Sequence, residues 1–213
     1  VRRPRPLALC LPSENRPPFS FLVPIYPRST VGNGHGTHCA GVAAGKRFGV
    51  AKQANIISVY ILSDAGSGSF SDIISGINYV VQSARASGRP SVILAPIGGG
   101  ASTALDNAVV AAVTSGVHFV TTAGNSATDA SQFCPARVPA AITVAAMSIA
   151  DGVSSSSNYG SVFVVFAPGQ NILCAWIGSP TVRVLFFFCG FLWGEIVVVS
   201  VCVCVGYGYD FWR

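Results

Sequence analysis

The sequence predicts an α/β fold, a parallel β-sheet with helices on both faces. Two observations lead to it. Short apolar runs that are typical of buried strands alternate along the chain with longer runs whose apolar residues recur at helical spacing. Glycine follows both of the longer runs, where a helix stop is expected. Alternating strands and helices form a parallel sheet, and the 213 residues are enough for one domain with a sizeable core.

The first elements show these signals most clearly. Residues 55–62 (NIISVYIL) have the composition of a buried strand. In 69–86, apolar residues recur at helical spacing, and Gly88 is placed to end the helix. The later elements are predicted as a strand at 91–95, a helix at 104–115 that ends before Gly116, and strands at 117–122 and 141–146.

The loops that follow the strands are the candidate functional region. In parallel α/β sheets, ligands bind outside the carboxyl ends of the strands. Three loops with unusual sequences fall there: the DAGSG run at 64–68, the triple glycine at 98–100 and the turn at 123–125. We therefore expect these loops to line one rim of the sheet.

A histidine between two glycines opens a segment of small residues at 34–41 (GHGTHCAG). His35 is expected at the start of a helix, where it can act at close range. His38, three residues later, is interpreted as structural, although two histidines at this spacing could also form a metal pair. The motif contains no carboxylate, which argues against a metal site.

Several motifs, in the same order along the chain, resemble those of the subtilisin-like serine proteases, with the cysteine variant of the proteinase K-like fungal branch. They are GHGTHCAG at 34–41, GVAK at 49–52, DAGSGS at 64–69, GGG at 98–100, TAGN at 122–125 and the run from SNYG to WI at 157–177. The resemblance covers 32–179. It leaves a proline- and arginine-rich segment at 1–31 and an apolar tail at 180–213 as non-family segments.

The resemblance implies a role for individual residues. His35 matches the general base, and Asn125 matches the side-chain amide that donates to the oxyanion. Proline departs from the serine that is more frequent at position 96, which removes one N–H donor. The edges that would pair with an extended peptide substrate comprise Gly66, Ser67, Gly68, Pro96, Ile97, Gly98, Gly99 and Gly100.

Two catalytic parts of the family are missing from the sequence. No aspartate precedes His35, since the first is Asp64, and the only earlier acid is Glu14. The nucleophile motif Gly-Thr-Ser-Met-Ala does not follow Ser179, and Ser200 lacks its sequence context. The resemblance thus implies peptide-bond hydrolysis as the family function, but no activity for this chain. The alternative function is a non-catalytic peptide-binding pseudoprotease. A third interpretation is a product with no stable fold, because a central strand and the nucleophile helix of the family fold would be missing.

The tail carries one charge, Glu195, within 184–205. Both ends change character abruptly, as expected if non-coding sequence were translated across a splice junction. A membrane anchor and a buried strand pair are the other readings of the tail, and Glu195 argues against the anchor because a buried charge is costly in a membrane.

Charge and composition limit the partners and cofactors. The formal net charge is +5, but most of the excess lies in the first 31 residues, and no basic stripe with aromatics indicates nucleic-acid binding. Val164 replaces a family calcium ligand, so no calcium is predicted there. Seven cysteines, an odd number, indicate no clear disulfide framework, and the resemblance implies a free thiol at Cys39. A secreted monomer is expected from the resemblance alone, since no complete signal peptide is recognisable.

Overall fold

A computed structural model describes residues 33–179 in full and the backbone of 23–24, 180–184 and 197–200. Within these ranges the chain forms, in order, β1 (Val23–Pro24), α1 (His35–Ala44), β2 (Asn55–Tyr60), α2 (Phe70–Ser87), β3 (Ser91–Ala95), β4 (Gly99–Gly100), α3 (Thr103–Thr114), β5 (His118–Thr122), β6 (Phe133–Cys134), β7 (Ile142–Met147), β8 (Val165–Pro168), β9 (Ile172–Trp176), β10 (Ser179–Val184) and β11 (Val197–Ser200).

Seven of these strands form one sheet in the order β1-β2-β11-β3-β5-β7-β8. Every neighbouring pair in it is parallel, which confirms the predicted architecture. Two short antiparallel pairs, β9 with β10 and β4 with β6, lie outside the main sheet.

The helices cover both faces of the sheet, as predicted. On one face, Ile77 of α2 and Val109 of α3 are buried in a cluster with Phe119 of β5. On the other, Cys39 and Ala43 of α1 pack in a separate buried cluster with strand residues. Burying a large apolar side chain contributes roughly 1.5–3 kcal/mol, so these two clusters hold the helices to the sheet.

Helix boundaries lie within about one residue of the predicted ones because local capping signals set them. The Ser69 side chain accepts a hydrogen bond from the backbone N–H of Asp72, and Gly88 ends α2 in the left-handed conformation, at φ 64°. The strand predicted at 55–62 ends earlier, at Tyr60, because the chain turns into a loop closed by a hydrogen bond from Ser63 N to Ser67 O.

The centre of the sheet is formed by a strand from the apolar tail. β11 lies between β2 and β3, and Val198 is in register with Ile56 on one side and Val92 on the other. The resemblance implied a missing central strand, yet the sheet has no gap there. Part of the tail is thus a strand that pairs with the main sheet, and the rest, at 185–196 and 201–213, lies outside the described residues. No helix within the described part of the chain has the length and apolar character needed to cross a membrane.

Candidate active site

His35 is the first residue of α1, and its position is fixed by the residue two before it. The Asn33 side-chain oxygen accepts a hydrogen bond from His35 N at 2.9 Å, so it satisfies a backbone donor that the first helical turn leaves open. Gly34 lies against Trp176, and a Cβ there would fall inside the indole ring. The small residues of the motif therefore allow the helix to approach β9 closely.

Helix α1 also lies close to β9 further along its length. A Cβ on Gly41 would lie 2.6 Å from the sulfur of Cys174. Cys39 is buried, and its sulfur lies 3.8 Å from Nδ1 of His35. Cys134 and Cys174 are buried as well. The cysteine expected beside His35 therefore lies there.

The contacts of His38 are those of a buried structural residue. It is fully buried, its Nε2 is 3.2 Å from the carbonyl oxygen of Ile172, and its ring packs edge-on against Trp176. Burial lowers the pKa of His38, which outweighs the opposite effect of the hydrogen bond to Ile172; the nearby His35 lowers it further. A neutral His38 can donate from Nε2 to the carbonyl, which ties α1 to β9.

Asn33 also connects His35 to the first predicted peptide edge. Its side-chain nitrogen donates to the carbonyl oxygen of Asp64 at 3.1 Å, and a Cβ on Gly66 would lie 3.3 Å from the same nitrogen. One side chain thus holds both the start of α1 and the loop at 63–68. The sequence analysis assigned no role to Asn33, although an asparagine directly before a glycine-flanked histidine is a recognisable helix-start signal.

The loop at 63–68 is an exposed edge whose backbone requires glycine. Gly66 has φ 77°, in the left-handed region, and a Cβ on Gly68 would collide with the carbonyl oxygen of Ile61. Ser63 N donates to Ser67 O at 2.7 Å, which closes the loop. Gly66, Ser67 and Gly68 are all exposed, so this edge is accessible to a peptide.

The second predicted edge takes part in a short internal strand pair. Gly99 and Gly100 pair with Phe133 and Cys134, and the Cys134 thiol donates to Gly100 O at 2.9 Å. No sequence pattern indicated this pairing, because a strand of two residues has no detectable periodicity. Pro96, Ile97 and Gly98 come before the paired segment. Gly98 is exposed, with open space where a Cβ would be.

The two edges meet at Phe70, the residue that opens α2. A Cβ on Gly99 would lie 3.2 Å from the Phe70 ring. Phe70 is two residues after the loop at 63–68, so its ring links this loop to Gly99 in the segment at 96–100.

Asn125 lies exposed on the loop that follows β5. Thr121, near the end of that strand, donates its hydroxyl to Ala95 O at 2.9 Å and lies 3.5 Å from Ile97 O. This contact links the strand that leads to Asn125 with the second peptide edge. The structure thus connects the start of α1 to the first edge through Asn33, and the strand that precedes Asn125 to the second edge through Thr121.

The described residues contain no group of three or more His, Cys, Asp and Glu side chains that could hold a metal ion. His35 and His38 therefore do not belong to such a cluster within 33–179. Val164 is 66% exposed and offers no side-chain oxygen to a cation.

Residues 26–189 match the sequence profile of the subtilase family. The chain belongs to the subtilase family. This confirms the resemblance that the motifs indicated, and the α/β fold agrees with it.

Fungal subtilases are among its relatives. It is 44% identical to the subtilisin-like serine protease pepC of Aspergillus niger, a match that covers 78% of this chain and 33% of that protein. It is 49% identical to subtilisin-like protease 2 of Pseudogymnoascus destructans, over 70% of this chain and 37% of that protein. The chain thus spans about a third of the length of these curated relatives.

A solved structure with the same fold is the crystal structure of a cold adapted subtilisin-like serine proteinase. The superposition has a TM-score of 0.72 and a sequence identity of 44%, and it covers 78% of this chain and 62% of that one.

Proposed function

We propose that this subtilase chain carries the peptide-binding cleft, the general base and the oxyanion donor of a serine endopeptidase. The observation that supports the proposal is the double hydrogen bonding of Asn33, which accepts from His35 N and donates to Asp64 O, so the start of α1 is tied to the loop at 63–68. Peptide-bond hydrolysis is the reaction for which such a set of groups is suited.

Each group has a defined task in that reaction. An extended peptide pairs with the exposed backbone at 66–68 and with the segment at 96–98, because glycines allow another backbone to approach closely. His35 accepts the proton of an attacking hydroxyl group. Asn125 donates to the carbonyl oxygen as it becomes negatively charged, and loss of one such donor slows proteases of this type by about 10²- to 10³-fold.

We further propose that these 213 residues bind peptides without hydrolysing them. The sequence supplies neither the aspartate that orients the histidine nor the nucleophile motif, so no residue completes the catalytic set. Removal of a triad member in such enzymes leaves only the rate enhancement of the oxyanion hole and substrate binding. The non-catalytic peptide-binding role is the alternative that the exposed edge at 66–68 supports.

The test uses a fluorescent extended peptide with a quenched scissile bond, which reports binding and cleavage in one sample. We expect saturable binding and no cleavage above background. Gly98→Val adds a side chain where the structure has open space, and should weaken binding about tenfold, or about 1.4 kcal/mol. Gly152→Val, on a different exposed loop, is the matched control and should bind as the parent does.

Two results would overturn parts of this proposal. Equal binding by the parent and Gly98→Val would remove the peptide edge at 96–98. Cleavage that His35→Ala abolishes would instead show that the chain holds a working nucleophile, and the non-catalytic role would be wrong.

We also propose, from the family resemblance, a secreted monomer that binds an extended peptide without a metal ion or nucleic acid. Peptide affinity should therefore be the same with and without a chelator. A chelator that weakens binding would contradict the metal-free site.

A further inference from the structure

Asn158 is a buried polar residue beneath the loop that carries Asn125. It lies between β7 and β8 and is 2% exposed. Buried amide groups are costly unless they are hydrogen-bonded, so its partners show what it holds in place.

Those partners lie on both sides of Asn125. The Asn158 side-chain oxygen accepts from Ser126 N at 2.8 Å and from Thr128 N at 3.2 Å. Its side-chain nitrogen donates to Ala123 O at 2.9 Å, and its backbone N donates to Gly124 O at 3.0 Å. One residue therefore holds the incoming and outgoing arms of the loop at 123–128.

The loop backbone lies directly on this amide. Gly124 has φ 104°, and a Cβ there would lie 2.5 Å from the Asn158 side-chain nitrogen. Glycine is required at this position for two reasons: its φ lies in the left-handed region, and a side chain would collide with the Asn158 amide. This close contact restricts movement of the loop backbone relative to Asn158.

Asn158 is itself fixed to the sheet by its neighbour. The Ser157 hydroxyl accepts from Ala146 N at 3.0 Å and donates to the carbonyl oxygen of Asn158 at 3.1 Å. Ala146 belongs to β7, so the support under the loop is part of a buried strand. The chain of contacts runs from the sheet through Ser157 and Asn158 to the loop.

We propose that Asn158 is the positioning residue for Asn125. An oxyanion donor is effective only when its N–H is held in place before charge develops. Asn125 is exposed on a loop, and Asn158 holds that loop from below. This inference rests on the proposed function, because it assumes that Asn125 donates to an oxyanion.

The test compares two peptides that differ only in the charge and shape of their C-terminal group. One ends in an aminoalkylphosphonate, an anionic tetrahedral group that resembles the oxyanion, and the other ends in a neutral carboxamide. Calorimetry on the full chain gives the ratio of their dissociation constants. A hydrogen bond to a charged oxygen should give the parent about a tenfold or greater preference for the phosphonate.

Four variants locate the source of that preference. Asn125→Ala should abolish it, and Asn158→Ala should remove most of it. The double variant should lose no more than Asn125→Ala alone, because Asn158 acts through Asn125. Thr143→Val is the control for a general structural effect, since it removes another buried hydrogen bond, from Thr143 to Ala136 O, and should keep the preference.

Three results would overturn the inference: a preference retained in Asn158→Ala, an equal loss in Thr143→Val, or an additional loss in the double variant. Hydrogen exchange separates this failure from that of the proposed function. If parent and Asn125→Ala both show no preference, the oxyanion role of Asn125 is wrong. Faster exchange of the Ser126 and Thr128 amides in Asn158→Ala than in Thr143→Val then still supports the loop-holding contact, and unchanged exchange refutes it.

Discussion

The two halves of the sheet are assembled in different ways. The amide half, which leads to Asn125, contains β3, β5, β7 and β8, four strands that lie in chain order within 91–168. The histidine half contains β1, β2 and β11, and its inner strand comes from the far end of the sequence. Helix α1, which carries His35, packs against β11 and β9. The helix of the histidine therefore has contacts with late segments of the chain in addition to its buried cluster with the sheet, whereas the loop of Asn125 is held by nearby segments.

This difference has a physical consequence for how the site forms. Contacts between segments close in sequence require short loops to close, whereas β11 can pair with β2 only after a long loop has closed. Non-local pairing of this kind is slow and costly in entropy. The amide half is thus able to form first, and the histidine half is complete only when the tail strand is in place.

The largest effect should come from breaking the tail strand. Val198→Pro removes a backbone N–H from the centre of the sheet, and we expect a loss of about 3 kcal/mol or more in the free energy of unfolding. Hydrogen exchange should show lost protection in β2 and α1 but retained protection in β5 and β7.

Val198→Ile is the matched control, because it keeps the backbone N–H and isoleucine is favourable in strands. It should unfold much closer to the parent than Val198→Pro does. If Val198→Pro leaves exchange in β2 unchanged, the histidine half does not depend on β11 and the comparison fails.

A smaller effect is expected from crowding the start of α1. Gly34→Ala places a Cβ inside the Trp176 ring, so the helix must move, at a cost of roughly 1–3 kcal/mol. In the amide half, Gly98→Ala enters open space and should change stability by less than about 0.5 kcal/mol. Denaturant unfolding measures both, and equal stability of the two variants would contradict the tight packing of α1.

The smallest effect is the pH dependence due to His38. Its pKa is lowered by burial in the folded state, so unfolded chains take up the proton first as the pH falls below about 6.5. The free energy of unfolding should then fall with decreasing pH, by no more than about 1.4 kcal/mol per pH unit, and should not change through this group above that range.

His38→Gln should flatten this part of the profile, whatever its absolute stability. A profile that stays the same in His38→Gln would show that burial of this histidine between α1 and β9 is not the cause.

The sequence predicted what local signals determine. The ends of α2 and α3 were predicted within about one residue because Ser69, Gly88 and Ser102 act on their own helix ends. The position of Val197–Ser200 was beyond such reasoning, since its partners lie at 55–58 and 91–94 and a valine run shows no preference among them.

The candidate site, too, was predicted only where local motifs indicate its residues. His35 and Asn125 stand out through motifs, whereas Asn33 and Asn158 act through hydrogen bonds to backbone groups up to 35 residues away. Asn158 lies within a motif that carried the resemblance, but nothing in its own spacing indicates which loop it holds. Roles in the reaction stay predictions at every one of these positions.

The contact between Gly34 and Trp176 also provides an optical signal. Trp176 is the only tryptophan in 33–179, and its indole touches the first turn of α1 and the ring of His38. Any shift of that helix changes the polarity and quenching around the indole, and thus its emission. Once Trp193 and Trp212 are replaced by phenylalanine, the fluorescence of Trp176 can therefore report, without an added label, whether the helix that carries His35 is in place.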